Sequence, residues 1–478
     1  MVVLYVLIAL VVVGLLTGVH WYVWRRLVGD TTARGGWARR AGTAAAFVLP
    51  LMSVGAVISG RAGAPFPLQR ALAWPGYLWL ALLLYLTLAL LVGEAVRPLL
   101  GAWLGRRKPA EPADVRSAEG PAAGAEVAAA AGRTVDDGSA ATAVAPAPSA
   151  VRTAADAPAA VAVEPATDET AEGVAAESAA QTVEAAETAA KAAATDRPAG
   201  LPPAASRRLF VARAVAVGAT AVAAGTVGYG TYTVLRGPRV KRITVPLAKL
   251  PRRAHGFRIA VVSDIHLGPI LGRAHTQRVV EAVNRTGPDL IAVVGDLVDG
   301  SVADLGPAAE PLRALRARHG SYFVTGNHEY YSGADAWVDH VRELGLRPLE
   351  NERTELPGFD LAGVNDVAGE SEGRGPDVGK ALGGRDRSRA SVLLAHQPVV
   401  IHDAVKAGVD LQLSGHTHGG QLWPGTYVAE LANPTAAGLE RYGDTQLYVT
   451  RGAGAWGPPV RVGAPPDVTV VELASTRT

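Results

Sequence analysis

Val261-Val-Ser-Asp-Ile-His-Leu-Gly268 is a short apolar run that ends in an acidic residue and a histidine two positions apart. Read as a strand, it puts alternate side chains on one face, so Asp264 and His266 aim a carboxylate and an imidazole at one point past its end. Such a pair can supply two ligands of a metal grip. The same spacing also occurs in ordinary loops, so its meaning depends on what the rest of the chain adds.

Four more motifs follow in order, each after an apolar strand candidate: Gly295-Asp-Leu-Val-Asp299, Gly326-Asn-His-Glu329, His396 within Ala-His-Gln-Pro, and Gly415-His-Thr-His418. The strand candidates include Arg258–Ser263, Leu290–Val294, Ser321–Val324 and Ser391–Ala395, with helical patterns between several of them, such as His275–Val283, Ala308–Ala317 and Ala334–Leu344. Short β segments follow Gln446 and close at Val468–Leu473. This alternation predicts an α/β domain, mostly sheet with covering helices, over about 240–474. Strand ends in such folds converge on a crevice, which is where the five motifs would meet.

The ordered set resembles the calcineurin-like metallophosphoesterase superfamily. Gly326-Asn-His-Glu-Tyr330, Gly415-His-Thr-His-Gly-Gly-Gln421 and the closing Arg451-Gly-Ala-Gly through Arg461 are similar to its bacterial, membrane-associated YkuE-like branch. The resemblance covers roughly residues 240–473. It implies a four-layer αββα sandwich around two divalent metal ions (Mn, Fe or Zn). Asp264, His266 and His418 would hold one metal, Asn327, His396 and His416 the other, and Asp296 would bridge them. A hydroxide between the metals would attack phosphorus. His328 would stabilise phosphate charge or protonate the leaving group, with Asp299 fixing its ring. No firm catalytic role is expected of Glu329, and Arg451 and Arg461 would contact a phosphate or pair with carboxylates. The remaining histidines, at 20, 255, 275, 319, 340 and 402, read as surface or capping residues, and Gly363–Gly384 as an exposed insertion.

The first half of the chain has a different character. Val2–Trp24 is an uncharged apolar run long enough to cross a bilayer, and further runs lie at about 41–60 and 71–93. Residues 105–206 are rich in Ala, Pro, Thr and Glu with almost no large aliphatics, the composition of a disordered linker. A fourth helix is expected at 207–236, opening on Ser206-Arg-Arg-Leu-Phe210 ahead of a mild apolar stretch to about Leu235, and reads either as a twin-arginine signal addressed to that translocation machinery or as a plain anchor with flanking arginines. Arg25, Arg26, Arg34, Arg39 and Arg40 assign the first loop to the cytoplasm, so the domain after the fourth helix would lie outside.

With a net charge of +2 and no basic block, the chain is expected to have no nucleic-acid partner. The absence of cysteine excludes disulfides, thiolate metal sites and a cysteine nucleophile. The expected function is a multi-pass, membrane-anchored phosphoesterase acting outside the cytoplasm on a phosphorylated small molecule or a lipid-linked substrate. The alternative is a membrane sensor or scaffold that binds metal or ligand without turnover, against which an intact Asp299 and His328 argue.

Overall fold

A computed structural model describes residues 2–106 and 203–477. The linker expected at 105–206 lies, over 107–202, outside the described residues. Four long helices come first: α1 (Val2–Trp24), α2 (Trp37–Ser59), α3 (Phe66–Arg106) and α4 (Pro203–Leu235). All four are long and apolar enough to cross a membrane. Helix α3 outruns its expected bounds at both ends, because an apolar window marks the lipid-matching part of a helix and not its termini. Arg207 and Arg208 lie inside the first turns of α4.

Two six-stranded sheets form the C-terminal domain. The first runs β1 (Arg239–Leu247), β12 (Asp467–Ser475), β2 (Phe257–Val262), β3 (Leu290–Val294), β4 (Ser321–Val324) and β5 (Arg347–Pro348). The second runs β10 (Gly438–Tyr442), β11 (Thr445–Val449), β9 (Leu411–Ser414), β8 (Ala390–Leu394), β7 (Phe359–Gly363) and β6 (Glu352–Leu356). Strands β2 through β5 are mutually parallel, as are β7, β8, β9 and β11.

Side-chain alternation accounts for the layering. Ile259 and Val261 of β2 face the other sheet, in one core with Val392, Leu394, Leu411 and Leu413. Ala260 and Val262 face the opposite way, onto helices α5 (Arg273–Asn284), α6 (Val302–Ala309) and α8 (Ala334–Glu343), where Val283, Leu305 and Trp337 cover them. A third core joins Leu393, Leu447 and Val449 to α9 (Val378–Leu382) and α10 (Ile401–Ala407). Strands buried on both faces read as continuous apolar runs, as 259–262 does. The domain is therefore the expected four-layer αββα sandwich. The remaining helices are short: α7 (Asn327–Ser332) follows β4, and α11 (Gly425–Ala432) follows the Gly415–His418 motif.

Three details depart from the sequence-based expectation. The helix expected at 308–317 starts at Val302, where the Ser301 side chain accepts from the Asp304 N–H, and passes into a 3-10 turn over Glu310–Ala314 containing Pro311. The segment from Gly363 to Gly384 is no exposed insertion: Asn365 and Asp366 are buried, and Val378, Ala381 and Leu382 belong to the third core. His275 is neither a surface nor a capping residue but fully buried, with neither ring nitrogen hydrogen-bonded.

Candidate metal centre

Every motif residue sits just past the carboxyl end of a parallel strand: Asp264 after β2, Asp296 after β3, Asn327 after β4, His396 after β8 and His416 after β9. Because the two sheets lie face to face, both contribute to one pocket. Backbone hydrogen bonds lock the loops together, from Asp264 N to Gly295 O at 3.1 Å, from His266 N to Asp296 O at 3.1 Å and from Gly415 N to His396 O at 3.0 Å.

Asp264 and His266 do converge, yet not by strand pleating. The strand ends at Val262, and both residues take positive φ, 52° and 49°. Among the described residues seven non-glycine positions have positive φ, and Asp264, His266, Asp296, His416 and His418 are five of them. Left-handed backbone costs a non-glycine residue of order 1–3 kcal/mol, so its concentration at one pocket marks a site the surrounding fold over-determines. The motif glycines leave room for this crowding. A Cβ on Gly415 would overlap Ser263 Oγ and Asp264 Oδ2, and one on Gly326 would overlap Asp296 Oδ1.

The side chains fall into groups whose ligand atoms lie within 4.8 Å of one another: Asp264, His266 and His418; Asp296, His396 and His416; and His266, Asp296 and His328. Asp296 stands between the first two groups, its Oδ2 3.1 Å from His396 Nε2 and 3.8 Å from His266 Nε2. His418 Nε2 is 3.0 Å from His266 Nε2 and 3.4 Å from Asp264 Oδ1. Asn327 Oδ1 lies 3.1 Å from His416 Nδ1. All seven residues expected to hold metal are thus brought together, with His328 and Asp299 beside them.

Supporting contacts orient these rings. Nδ1 of His266 meets Asp299 Oδ1 at 2.9 Å, and Nδ1 of His396 meets the Val294 carbonyl at 2.9 Å, so in both rings Nε2 points inward. The His396 Nε2 is buried and makes no well-aligned hydrogen bond, facing Asp296 Oδ2 at 3.1 Å, a pairing of donor atoms that suits a shared cation. Burial, reinforced by the Arg461 charge, holds His418 well below the imidazole range, and burial together with His396 brings His416 down to about 4. Neutral imidazole is the form that binds metal. Burial works against a charged His266, yet Asp299, Asp296 and Asp264 outweigh it and raise the ring to about 9. The same concentration of carboxylates attracts a cation. The nitrogen and oxygen donor set, without thiolate, fits divalent Mn, Fe or Zn.

Three supporting residues carried no clear signal in the sequence. Glu329 is fully buried and accepts from the N–H groups of Asp296, Leu297 and Gly326 at 3.0, 2.8 and 2.6 Å, which pins the Asp296 turn. Burial and then Asp296 push its carboxyl up to about 7. A glutamate three residues into a helical turn, reaching back to the turn's first N–H, is the signal that could have found it. Ser263 donates to Asp264 Oδ2 at 2.5 Å. Arg461, expected either on a phosphate or on a carboxylate, forms no ion pair among the described residues. It is buried and donates to the carbonyls of His418 and Gly454 and to Nδ1 of His418.

Residues 257–420 match the calcineurin-like phosphoesterase family. A transmembrane protein with metallophosphoesterase domain from Danio rerio is 41% identical over 260 residues, 51% of this chain and 59% of that protein. An uncharacterized metallophosphoesterase from Aquifex aeolicus is 36% identical over 240 residues, 49% of this chain and 91% of that protein. The metallophosphoesterase YkuE of Bacillus subtilis is 30% identical over 286 residues, 57% of this chain and 98% of that protein. The chain thus spans about three fifths of the Danio rerio relative and nearly all of the two bacterial ones. Likeness along almost the whole of YkuE, together with five motifs that fold into one pocket, places the chain in the calcineurin-like metallophosphoesterase family.

Proposed function

We propose that the chain is a membrane-anchored, two-metal phosphoesterase that hydrolyses phosphomonoester, phosphodiester or pyrophosphate bonds. The observation that carries this reading is Asp296, set between the Asp264–His266–His418 group and its own neighbours His396 and His416. Asp264, His266 and His418 would hold one cation and Asn327, His396 and His416 the other, with Asp296 shared between them. When bound, the two cations polarise the phosphoryl oxygens and lower the pKa of water at the site. The protein's own part is to fix the ligands, exclude bulk water and deliver a proton. His328 is only partly buried at the pocket's edge, where its Nε2 would give a proton to the leaving oxygen as a water oxygen replaces that oxygen on phosphorus. Asp299 holds its ring.

The four apolar helices support membrane association. The arginines of the first loop and of the start of α4 support a topology with both on the cytoplasmic side and the phosphoesterase domain outside. Anchoring concentrates the site near anything in the bilayer, which favours a lipid-linked phosphoester as substrate. The test is hydrolysis of an aryl phosphodiester and of lipid-linked phosphoesters by the metal-loaded full chain against Asp296→Asn. Equal rates from the two proteins would reject the reading.

A further inference from the structure

We propose that α11 and the adjoining Leu422–Trp423 segment are inserted into the bilayer beside α3 and α4, so that the metal centre opens at the membrane surface. The proposal rests on α1–α4 spanning a bilayer and is independent of turnover. The occupant of the exposed apolar face is lipid.

The depth of this segment follows from a polar layer at one end of the bundle. Arg26 pairs with Glu94 at 2.8 Å, Arg97 lies 3.8 Å from Asp30, and Arg213 Nε donates to Thr31 O at 3.1 Å. These contacts set one water-facing level for α1, α3 and α4. Measured along the helices from that level, Tyr85 is about 18 Å from Arg97 and Val227 about 21 Å from Arg213. Both therefore fall within an apolar layer of about 30 Å.

At that depth the helices meet the C-terminal domain. The Tyr85 hydroxyl donates to the Trp423 carbonyl at 3.0 Å. Leu422, Val460 and Val462 pack into the same apolar cluster as Ala81, Leu86, Ala223 and Val227. Gly230 of α4 lies so close to Val460 that a Cβ would come within 2.5 Å of its Cγ1. Loops of the α/β domain thus continue the surface of the spanning helices.

Helix α11 extends that surface outward. Tyr427, Val428 and Leu431 are 61%, 67% and 89% exposed. Spacings of three and four residues put Leu431 on the same face as both of the others, and Glu430 is the helix's one charged residue. An exposed apolar helix face continuous with spanning helices is an interfacial element.

The helix is also tied to the site. Thr426 Oγ1 donates to Gly419 O at 3.1 Å, directly after His418. Gln421 Nε2 donates to the carbonyls of Trp456 and Pro458 at 2.8 and 3.0 Å. The Trp456 ring stands 5.7 Å from that of His328. Bilayer insertion therefore fixes the height of the pocket mouth.

The chain has no cysteine, so Leu431→Cys gives the full-length protein a single thiol for a nitroxide label. In phosphatidylcholine–phosphatidylglycerol vesicles, the oxygen-to-nickel-chelate accessibility ratio is measured by electron paramagnetic resonance. Lys406→Cys, exposed in the last turn of α10, is the aqueous reference. The ratio is expected to be severalfold higher at position 431 than at 406, and Tyr427→Cys should match 431. A ratio at both 427 and 431 equal to that at 406 would overturn the proposal, placing the face in water. Label–label broadening that grows with the protein-to-lipid ratio would overturn it as well, because a second copy of the chain would then cover the face.

Discussion

Oδ1 of Asp299 stands 2.6 Å from Nδ1 of His328, and the same oxygen stands 2.9 Å from Nδ1 of His266. One carboxylate orients both a proposed metal ligand and the proposed proton donor. Burial opposes its charge, but His266 and His328 prevail and hold the carboxyl at about 2, so it is ionised at neutral pH. The two partners of Asp299 can be separated by mutation. His328→Ala should retain both metals and lose turnover by about 10²–10⁴-fold. Asp299→Ala should lose turnover and also weaken metal binding by about 10–100-fold, read by metal titration. Equal metal affinity in the two variants would remove Asp299 from the ligand-orienting role.

Glu329 gives a stability prediction at the same site. Its carboxylate accepts three backbone N–H groups, whereas a glutamine offers one acceptor oxygen and turns an NH₂ towards donors. Glu329→Gln should destabilise the folded protein by about 1–3 kcal/mol, the cost of leaving a buried backbone donor without its acceptor. Thermal unfolding of the full chain in detergent measures it. An unchanged midpoint would show that the Asp296 turn does not depend on this cap.

His275 predicts the acid side of the stability profile. Burial, and then the charges of Arg278 and Arg461, bring its ring down to about 3. Folding therefore favours the neutral ring over an ordinary value of about 6.5. The unfolded chain binds more protons between these two values, so this contribution is complete above pH ~6.5 and is lost as pH falls towards 3. The slope is about 1.4 kcal/mol per pH unit within that window. His275→Leu, which also removes two unpartnered ring nitrogens, should raise stability at pH 5 and flatten the profile between pH 6.5 and 5. A variant that keeps the wild-type slope would exclude His275 as its source.

Arg461 links the site to the helices: its backbone N–H donates to Gly230 O of α4, and its side chain to His418. Arg461→Lys keeps the charge and loses the fork that spans Gly454 and His418. Metal affinity should fall by about 10–100-fold, while membrane association is unchanged because the backbone bond remains. Metal titration alongside vesicle flotation reads both. Unaltered affinity would make Arg461 a packing residue alone.

What could be read from the sequence follows the range of the interactions involved. The five motifs and the strands before them were legible because each is a local pattern, an apolar run ending in ligand-type residues at Asp264, Asp296, Asn327, His396 or His416. Their convergence was legible for a partly wrong reason, since left-handed turns and not pleating aim Asp264 and His266. Arg461 and His275 were misread because nothing local marks burial: Arg461 meets His418 across 43 positions, and His275 lies on an otherwise ordinary amphipathic helix. The packing of Leu422 and Trp423 against α3 joins segments more than three hundred positions apart, beyond any periodicity.

The central claim is most directly tested by counting metal in active protein. The full chain, purified in detergent, loaded with Mn, Fe or Zn and freed of loose ions, should contain two metal ions per chain and hydrolyse an aryl phosphodiester. Asp296→Asn should contain fewer than two and be inactive. Wild-type protein that turns over with fewer than two metal ions per chain would contradict the two-metal account.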